Sequence, residues 1–519
     1  MGNLDRLPLK IGNASAEQRV LKVGRSAQES KVRALWESTE ATRYLCATAY
    51  LDGTFREHVI RQLIEEKHNA FAVSYGIDPV ALLKHCLAAR RLDTTRTLLL
   101  ALCVLLMMVG SLLLVPLPGA TFLLWFLSLA GAWAIIGWHR WRTEFQIVRN
   151  QCSKGHFEHS HVPPCESQEA QEACRELEKA QAGNVMIYTG FSPFVGCGIN
   201  IGGWSFAVDV LKGKEHIGGY LEPKSFHVKE LYQEIGQTLR SLDLPNYTLE
   251  DKACISGLDV RGDEKFLPEA LGRPVTKIDS SSMGGFVTNS STTARHYQNF
   301  RLVDWSGELI LNAFLRASQP AHNLFVEATY CLLLPLDERY RRVDSLNPVP
   351  TWRDWLRLLA VSGLKAVFVW PVWLGYLLQL VNRPLAKWLY QREMRKMVLQ
   401  NPAYDHGAFS SLREYASSSG LYRRYFQKLD KEMYMKILES QILDTIVRFL
   451  DRHNIDTSDL KETQARIINS GIIVSGGGTV EANTLAVGRG STAFTQGSPA
   501  RSNIRFIRNL AGRTAQAGH

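Results

Sequence analysis

Between Arg96 and His139 the chain carries no Asp, Glu, Lys or Arg. Its apolar residues there fall in two blocks, LLLALCVLLMMVGSLLLV and ATFLLWFLSLAGAWAIIGW, parted by Pro116, Leu117, Pro118 and Gly119. A bilayer core takes ~20 apolar helical residues per crossing, so a run of roughly forty predicts a transmembrane helical hairpin over residues 97–138. A buried helical pair in a soluble core fits the pattern less well, because core helices rarely go two turns without a polar residue. Arg90, Arg91 and Arg96 precede the hairpin, His139, Arg140 and Arg142 follow it, and its turn is uncharged. Positive residues stay on the cytoplasmic side, so both ends of the hairpin are expected there.

Ahead of the hairpin, residues 1–96 read as a helical domain. Helical spacing begins near Ser30 with Val32, Leu35 and Trp36 and continues through Tyr44, Leu45 and Ala49. Asp52-Gly53 breaks it, a second helix carries Phe55, Val59, Leu63 and Ile64 on one face, and Asp78-Pro79 opens a third as N-cap and N1. After the hairpin, residues 139–183 form a juxtamembrane linker and an exposed helix from Ser167 that ends at Gly183. The period then changes. VMIY, WSFAVDV, KACIS, NFRLVDW, GELILNAFLRAS and HNLFVEATYCLLL read as strands, with one helix between Val228 and Leu242. Residues 184–345 are therefore expected to form a cytoplasmic α+β domain with a largely antiparallel sheet and a hairpin turn at Trp305-Ser306-Gly307.

A second apolar segment, Leu358 to Val381 within residues 346–400, is long enough to span but holds Lys365, which costs ~3 kcal/mol near the centre of a bilayer. Its flanks are basic on both sides: Arg353 and Arg357 before, Arg383, Lys387, Arg392 and Arg395 after. The favoured expectation is a re-entrant or interfacial helix with Trp352, Trp355, Trp370 and Trp373 at head-group depth; the alternative is a third crossing. Residues 401–466 read as helical, with a broad apolar face over 430–452 and a short helix from Ser458 to Asn469. Residues 467–519 are a Gly-rich, β-prone stretch followed by a basic tail bearing Arg501, Arg505, Arg508 and Arg513.

Composition adjusts this picture modestly. The formal charge is +10 over 519 residues, much of it beside apolar segments, which suits contact with anionic lipid head groups. No basic stripe with interleaved aromatics and no nucleic-acid reader motif is present, so no nucleic-acid partner is expected. Nine cysteines without framework spacing fit a reducing compartment.

Candidate chemistry is sparse. Cys152, His156, His159, His161 and Cys165, with Cys174 beyond, have gaps that zinc ligands use, but paired Cys-x2-Cys and His-x3-His elements are missing, leaving a polar linker as the competing reading. Gly190 to Gly198 is a Gly-rich loop after a strand. A phosphate loop runs into a helix N-terminus, whereas this one runs into Gly202-Gly203 and a strand, so a wide turn is expected, with Phe191, Phe194 and Val195 on the sheet or at the membrane. Ser280 to Thr293 reads as a mobile loop. Gly-x-Ser-x-Gly, His-Glu-x-x-His and Gly-Lys-Ser/Thr are all absent, which leans away from an enzyme and assigns no catalytic or cofactor-binding residue.

The strings ATRYLCATAYLDGTFREHVIRQLIEEKHNAFAVSYGIDPVALLKHCLAARR, NVMIYTGFSPFVGCG and WSFAVDV resemble a family of uncharacterised bacterial membrane proteins over residues 40–350. That resemblance implies no particular reaction, cofactor or catalytic residue; the apolar hairpin and its basic flanks are what predict a multi-pass inner-membrane protein with the bulk of the chain cytoplasmic. Residues 467–496 resemble the amyloid-type signalling motifs of bacterial defence proteins, whose strands stack across chains; a flexible tail or a small β-arch on the same chain is the other reading. The sequence thus predicts a membrane protein with a transmembrane helical hairpin and cytoplasmic helical and α+β domains. Its expected role is a sensor or effector that self-assembles as a homo-oligomer at the inner membrane, in stress or anti-phage defence, with a protein partner engaged through residues 467–496. A membrane-tethered enzyme with its site in 184–345, or a passive scaffold, are the alternatives.

Overall fold

A computed structural model describes residues 40–113, 118–158, 161–217, 219–242, 244, 246–288, 293–347, 349–369, 373–418 and 422–469. The helix expected before residue 40, the turn at Pro116, His159 and the stretch from residue 470 onward lie outside the described residues.

The chain opens with α1 (Glu40–Leu51) and α2 (Gly53–Ile60). Between them the Asp52 carboxylate accepts from the amides of Thr54 and Phe55, so the expected break is an N-cap. α3 (Pro79–Leu112) begins as expected, with Asp78 capping the amides of Val80 and Ala81 and Pro79 in the first turn, and then runs on for 34 residues. α4 (Pro118–Arg140) returns alongside it and continues into a π-helical stretch, Trp141–Arg149. These two helices are long and apolar enough to cross a membrane, and only 22% of the apolar window of each is buried. Leu102, Leu112, Phe122 and Phe126 are all more than 60% exposed, which is not how the core helices of a soluble domain are arranged.

α5 (Gln168–Gln181) follows, capped by Ser167. Then comes the sheet: β1 (Val185–Tyr188), β2 (Ile199–Asp209), a small ribbon of β3 (Glu215–His216) and β4 (Gly219–Tyr220), α6 (Val228–Arg240), β5 (Tyr247–Ser256), α7 (Ser280–Thr288), β6 (Ala294–Asp304), β7 (Leu309–Ser318) and β8 (Asn323–Leu333). The six-stranded sheet has the order β1-β5-β6-β7-β8-β2. Every pair is antiparallel except β1 with β5. The Trp305–Gly307 turn joins β6 to β7 with φ near +51°, +55° and +82°, the left-handed region a tight strand connection requires. The Ser280 to Thr288 part of the expected mobile loop is instead α7, nucleated by Asp279, whose carboxylate takes the amides of Ser281 and Ser282.

α8 (Trp352–Val369) and α9 (Trp373–Gln400) replace the single expected apolar helix. A short turn, α10 (Leu412–Tyr415), precedes α11 (Tyr425–Arg452) and α12 (Ser458–Asn469).

Packing crosses the expected domain boundaries. α6 buries Leu231, Ile235 and Leu239 on the sheet, and α11 adds Leu438, Ile442, Ile446 and Leu450 to the same core, each contributing ~1.5–3 kcal/mol by burial. The helical region 401–466 is thus one layer of the α+β body. Likewise α1 and α2 share a core with α5, with residues 336–343 and with α10, so the N-terminal helices are not a free-standing domain. Buried cations lock these seams. Arg43 pairs with Glu40 and Asp344 at 2.7 and 2.8 Å, and one Arg413 nitrogen donates to the carbonyls of Gly307, Glu308 and Leu334.

Candidate functional site

Two features stand apart from ordinary core: an apolar helical bundle and a polar cleft, both built on α3. In the bundle, Ser128 Oγ of α4 donates to the Cys103 carbonyl of α3 at 2.7 Å, and Gly131 lets the helices approach so closely that a Cβ there would meet Cys103 Sγ at 3.3 Å. α8 descends antiparallel to α4. Trp355 stacks on Phe145 with ring centroids 5.1 Å apart, Asp354 pairs with Arg149 at 3.1 Å, and Trp133 Nε1 donates to the Leu359 carbonyl at 3.2 Å. Further along, Ala366 and Val369 join Leu100, Cys103, Val104, Ala132 and Ile136.

α9 then returns to the end where α8 began. Lys387 pairs with Glu169 of α5 at 3.2 Å, and the Val398 carbonyl accepts from Arg261 at 3.0 Å. The second apolar segment is therefore a helical hairpin with both ends on one side. A charged collar marks that side of the first hairpin: Asp93 lies 3.0 Å from His139 Nε2 and 3.4 Å from Arg96, and contacts Arg56.

The cleft has a volume of about 1440 Å³ and lies between the first turn of α3, the C-terminal end of α5, α6, α7 and the β5–β6 part of the sheet. Gly183, after α5, lies so close to Thr276 that a Cβ there would meet its carbonyl at 2.3 Å, which brings the α5 terminus against the sheet edge. On that edge Lys252, only 2% exposed, donates to the Gly183 carbonyl at 2.6 Å and pairs with Glu250 at 2.8 Å. Arg301 holds the other Glu250 oxygen at 2.9 Å while its guanidinium sits over the Tyr75 ring. Burial by itself would push the Glu250 carboxyl up, but Arg301 and Lys252 outweigh it and hold it down to about 2.

On the α6 side, His296 Nε2 meets Asp251 Oδ1 at 3.0 Å and its ring stands edge-on to Tyr232. Gln298 donates to the Tyr232 carbonyl at 3.3 Å. Four buried polar atoms of residues lining this cleft have no hydrogen-bond partner among the described residues: both amide atoms of Gln181, Oε1 of Gln298 and Nδ1 of His296. Such atoms cost ~1–3 kcal/mol each when left dry, so they are groups a bound molecule would satisfy.

The residues singled out by sequence land elsewhere. Cys152 is fully buried among the helices, its carbonyl taken by Arg43 at 3.0 Å, and burial pushes its thiol up to about 12, which opposes thiolate formation. His156 is exposed and contacts Ser153 Oγ at 3.2 Å, His161 is exposed, and His159 is outside the described residues. Cys165 Sγ sits 3.3 Å from Cys174 Sγ. Among the described residues no group of three or more His, Cys, Asp and Glu is gathered as metal ligands would be.

In the Gly-rich turn, Phe194 and Val195 are buried as expected while Phe191 is exposed. The Gly196 amide donates to the Glu414 carboxylate at 3.0 Å, so the donor a phosphate would use is already occupied by this chain. The φ of +85° at Gly196, and a Cβ clash of 2.6 Å with the Val73 carbonyl, explain the glycine there.

Sequence reading passed over Gln181, Lys252, His296 and Gln298. One signal was available: β6 reads ARHYQNFRLVD, with polar residues on both faces of a strand that proves central. A central strand is normally apolar on both sides.

The architecture is that of an α+β protein carrying two apolar helical hairpins. The sequence profile of the AbeC-like domain matches residues 203–481, from β2 through α12 and beyond, and the chain belongs to that family. Neither the curated proteins nor the solved structures contain a match.

Proposed function

We propose that this AbeC-like protein is a membrane-anchored sensor and effector of bacterial defence. In this reading α3 and α4 cross the inner membrane, the α8–α9 hairpin dips into it from the cytoplasmic face, and the protein acts there by self-assembly. The family assignment favours an abortive-infection or anti-phage role. Exposed Leu, Phe and Trp side chains on α3, α4 and α8 favour lipid as their solvent, and the collar of Arg90, Arg91, Arg96, Arg140 and Arg142 favours the cytoplasm for the remaining mass.

The observation that carries the sensing half is the continuity of α3. Its first two turns, through Lys84, wall the cleft, and the same unbroken helix supplies Leu100, Cys103 and Val104 to the bundle. Lys84 and Thr97 lie ~20 Å apart along one rod. Reconstitution in liposomes tests the effector half: the full chain is expected to assemble and release an entrapped dye. Intact vesicles at every protein density would refute it. Deletion of residues 467–496 tests assembly, with loss of both oligomer and cellular phenotype expected. A variant that kept both would remove that segment from the proposal.

A further inference from the structure

We propose that the cleft walled by α3, α5, α6 and α7 is a nucleotide-binding site, in which surface cations take the phosphate and the buried Gln181, His296 and Gln298 read the base. As the trigger of the sensor it rests on the function proposed above; as a binding site it stands on its own geometry.

The phosphate argument starts from charge that is left over. Lys84, Lys229, Arg240 and Lys277 line the cavity, and none of them forms an ion pair among the described residues. Five acidic residues line it too, against five cations once Lys252 is counted, but their charge is used locally. Asp78 and Asp279 cap the N-termini of α3 and α7, where helix dipoles offset a negative charge. Glu250 is held between Lys252 and Arg301, Asp251 is paired with His296, and Glu178 also has a partner. The uncompensated groups are cationic and sit at the rim, where a multiply charged anion could keep part of its hydration.

The base argument starts from unmet hydrogen-bonding capacity deeper in. Gln181 is 7% exposed and both its donor and its acceptor lack partners, which is the complement of a heterocycle presenting an acceptor beside a donor. Gln298 Oε1 and His296 Nδ1 add a further acceptor and a group that donates or accepts according to tautomer. Bare phosphate or sulfate would leave all four atoms dry, and an uncharged nucleoside would leave the rim cations unused. The volume, about 1440 Å³, exceeds the ~300–1,000 Å³ of ordinary small-ligand pockets, so a mononucleotide fits and a dinucleotide is admissible.

The test is calorimetric titration of the full-length protein in detergent with the four ribonucleoside 5′-monophosphates, the dinucleotides pApA and pGpG, adenosine, guanosine and inorganic phosphate. At least one nucleotide is expected to bind with a Kd at or below ~100 μM, with the matching nucleoside and phosphate weaker by more than ~10-fold. K229E/K277E, two exposed positions whose exchange leaves the core untouched, is expected to weaken binding by ~10-fold or more, and Q181L to do the same with an unchanged melting temperature. Absence of binding by any nucleotide, equal binding of bare phosphate, or unaltered affinity in K229E/K277E would each overturn the proposal. Dye release separates it from the sensor reading: a nucleotide that binds without altering release sinks the trigger and leaves the site.

Discussion

The two apolar hairpins are built from similar residues and end differently. In the first, α3 and α4 run uncharged from Thr97 to Trp138 and pack on each other from Asp93 and His139 at the collar to Gly110 and Thr121. In the second, α8 goes in, Val369 reaches the level of Cys103 and Ala132, and α9 comes back. Cys103 is seven residues from Arg96, and Ala132 seven from His139, so Val369 lies only ~10 Å past the charged collar, against a hydrocarbon core of ~30 Å. In the proposed membrane arrangement the exposed Lys365 would extend its ammonium back toward head groups, which would largely avoid its insertion cost. In that arrangement what separates a crossing from a re-entry is the distance covered before the chain turns, and one lysine is compatible with the shorter path.

Four experiments test that contrast. The largest effect is expected from S128R, which puts a charge on the packed face of α4 where Ser128 now donates to Cys103. It costs ~2.5–3.5 kcal/mol on insertion scales, and the protein is expected to vanish from the membrane fraction. V367R, on the exposed face of α8 near the collar, is expected to remain there, and equal loss of both variants would erase the distinction. Next, cysteines placed at Gly119, Gly375 and Asn401 test sidedness. A membrane-impermeant maleimide added outside the cell is expected to label G119C and spare G375C and N401C. Labelling of N401C would make the second hairpin a third crossing.

D354A is a smaller lesion. It strips Arg149, 4% exposed, of one carboxylate and leaves the mostly buried cation with Glu144 at 3.4 Å and the Asn347 carbonyl at 3.1 Å, which loosens the start of α8. Limited proteolysis is expected to nick residues 346–400 earlier while leaving 97–138 intact. The smallest effect sits outside both hairpins. Partial burial of Glu439, on α11 itself, raises its carboxyl to about 7, so between pH 4.5 and 7 the folded chain keeps a proton that the unfolded chain has lost, and stability falls as pH rises through that window. E439Q removes the penalty. It is expected to add ~1 kcal/mol above pH 7 and nothing at pH 4.5, read as a shift in melting temperature, with maleimide labelling of the hairpins unchanged.

The elements that sequence predicts well are those set by local rules. Asp52, Asp78 and Ser167 cap helices by short-range hydrogen bonds, the charge-free run announces two long helices, and alternation marks the strands. Grouping was harder, because it depends on contacts between distant segments. Nothing near Leu438 or Ile442 indicates that α11 covers the sheet, and nothing near Tyr44 indicates its bond to Asp344. The cleft was least legible, since its walls come from four helices and two strands and its informative residues are glutamines and a histidine that carry no motif. The Cys and His set shows the reverse: spacing that suits zinc along the sequence, with Cys152 drawn into the helical core and Cys165 turned toward Cys174.

α3 has no proline after its first turn and no glycine before Gly110, so it lacks the usual places for a helix to bend. A rod without a joint moves as a whole, so a shift of α3 beside Lys84 has a direct mechanical route to Cys103, and the face that α3 offers to α4 and α8 is tied to a chamber on the other side of the collar.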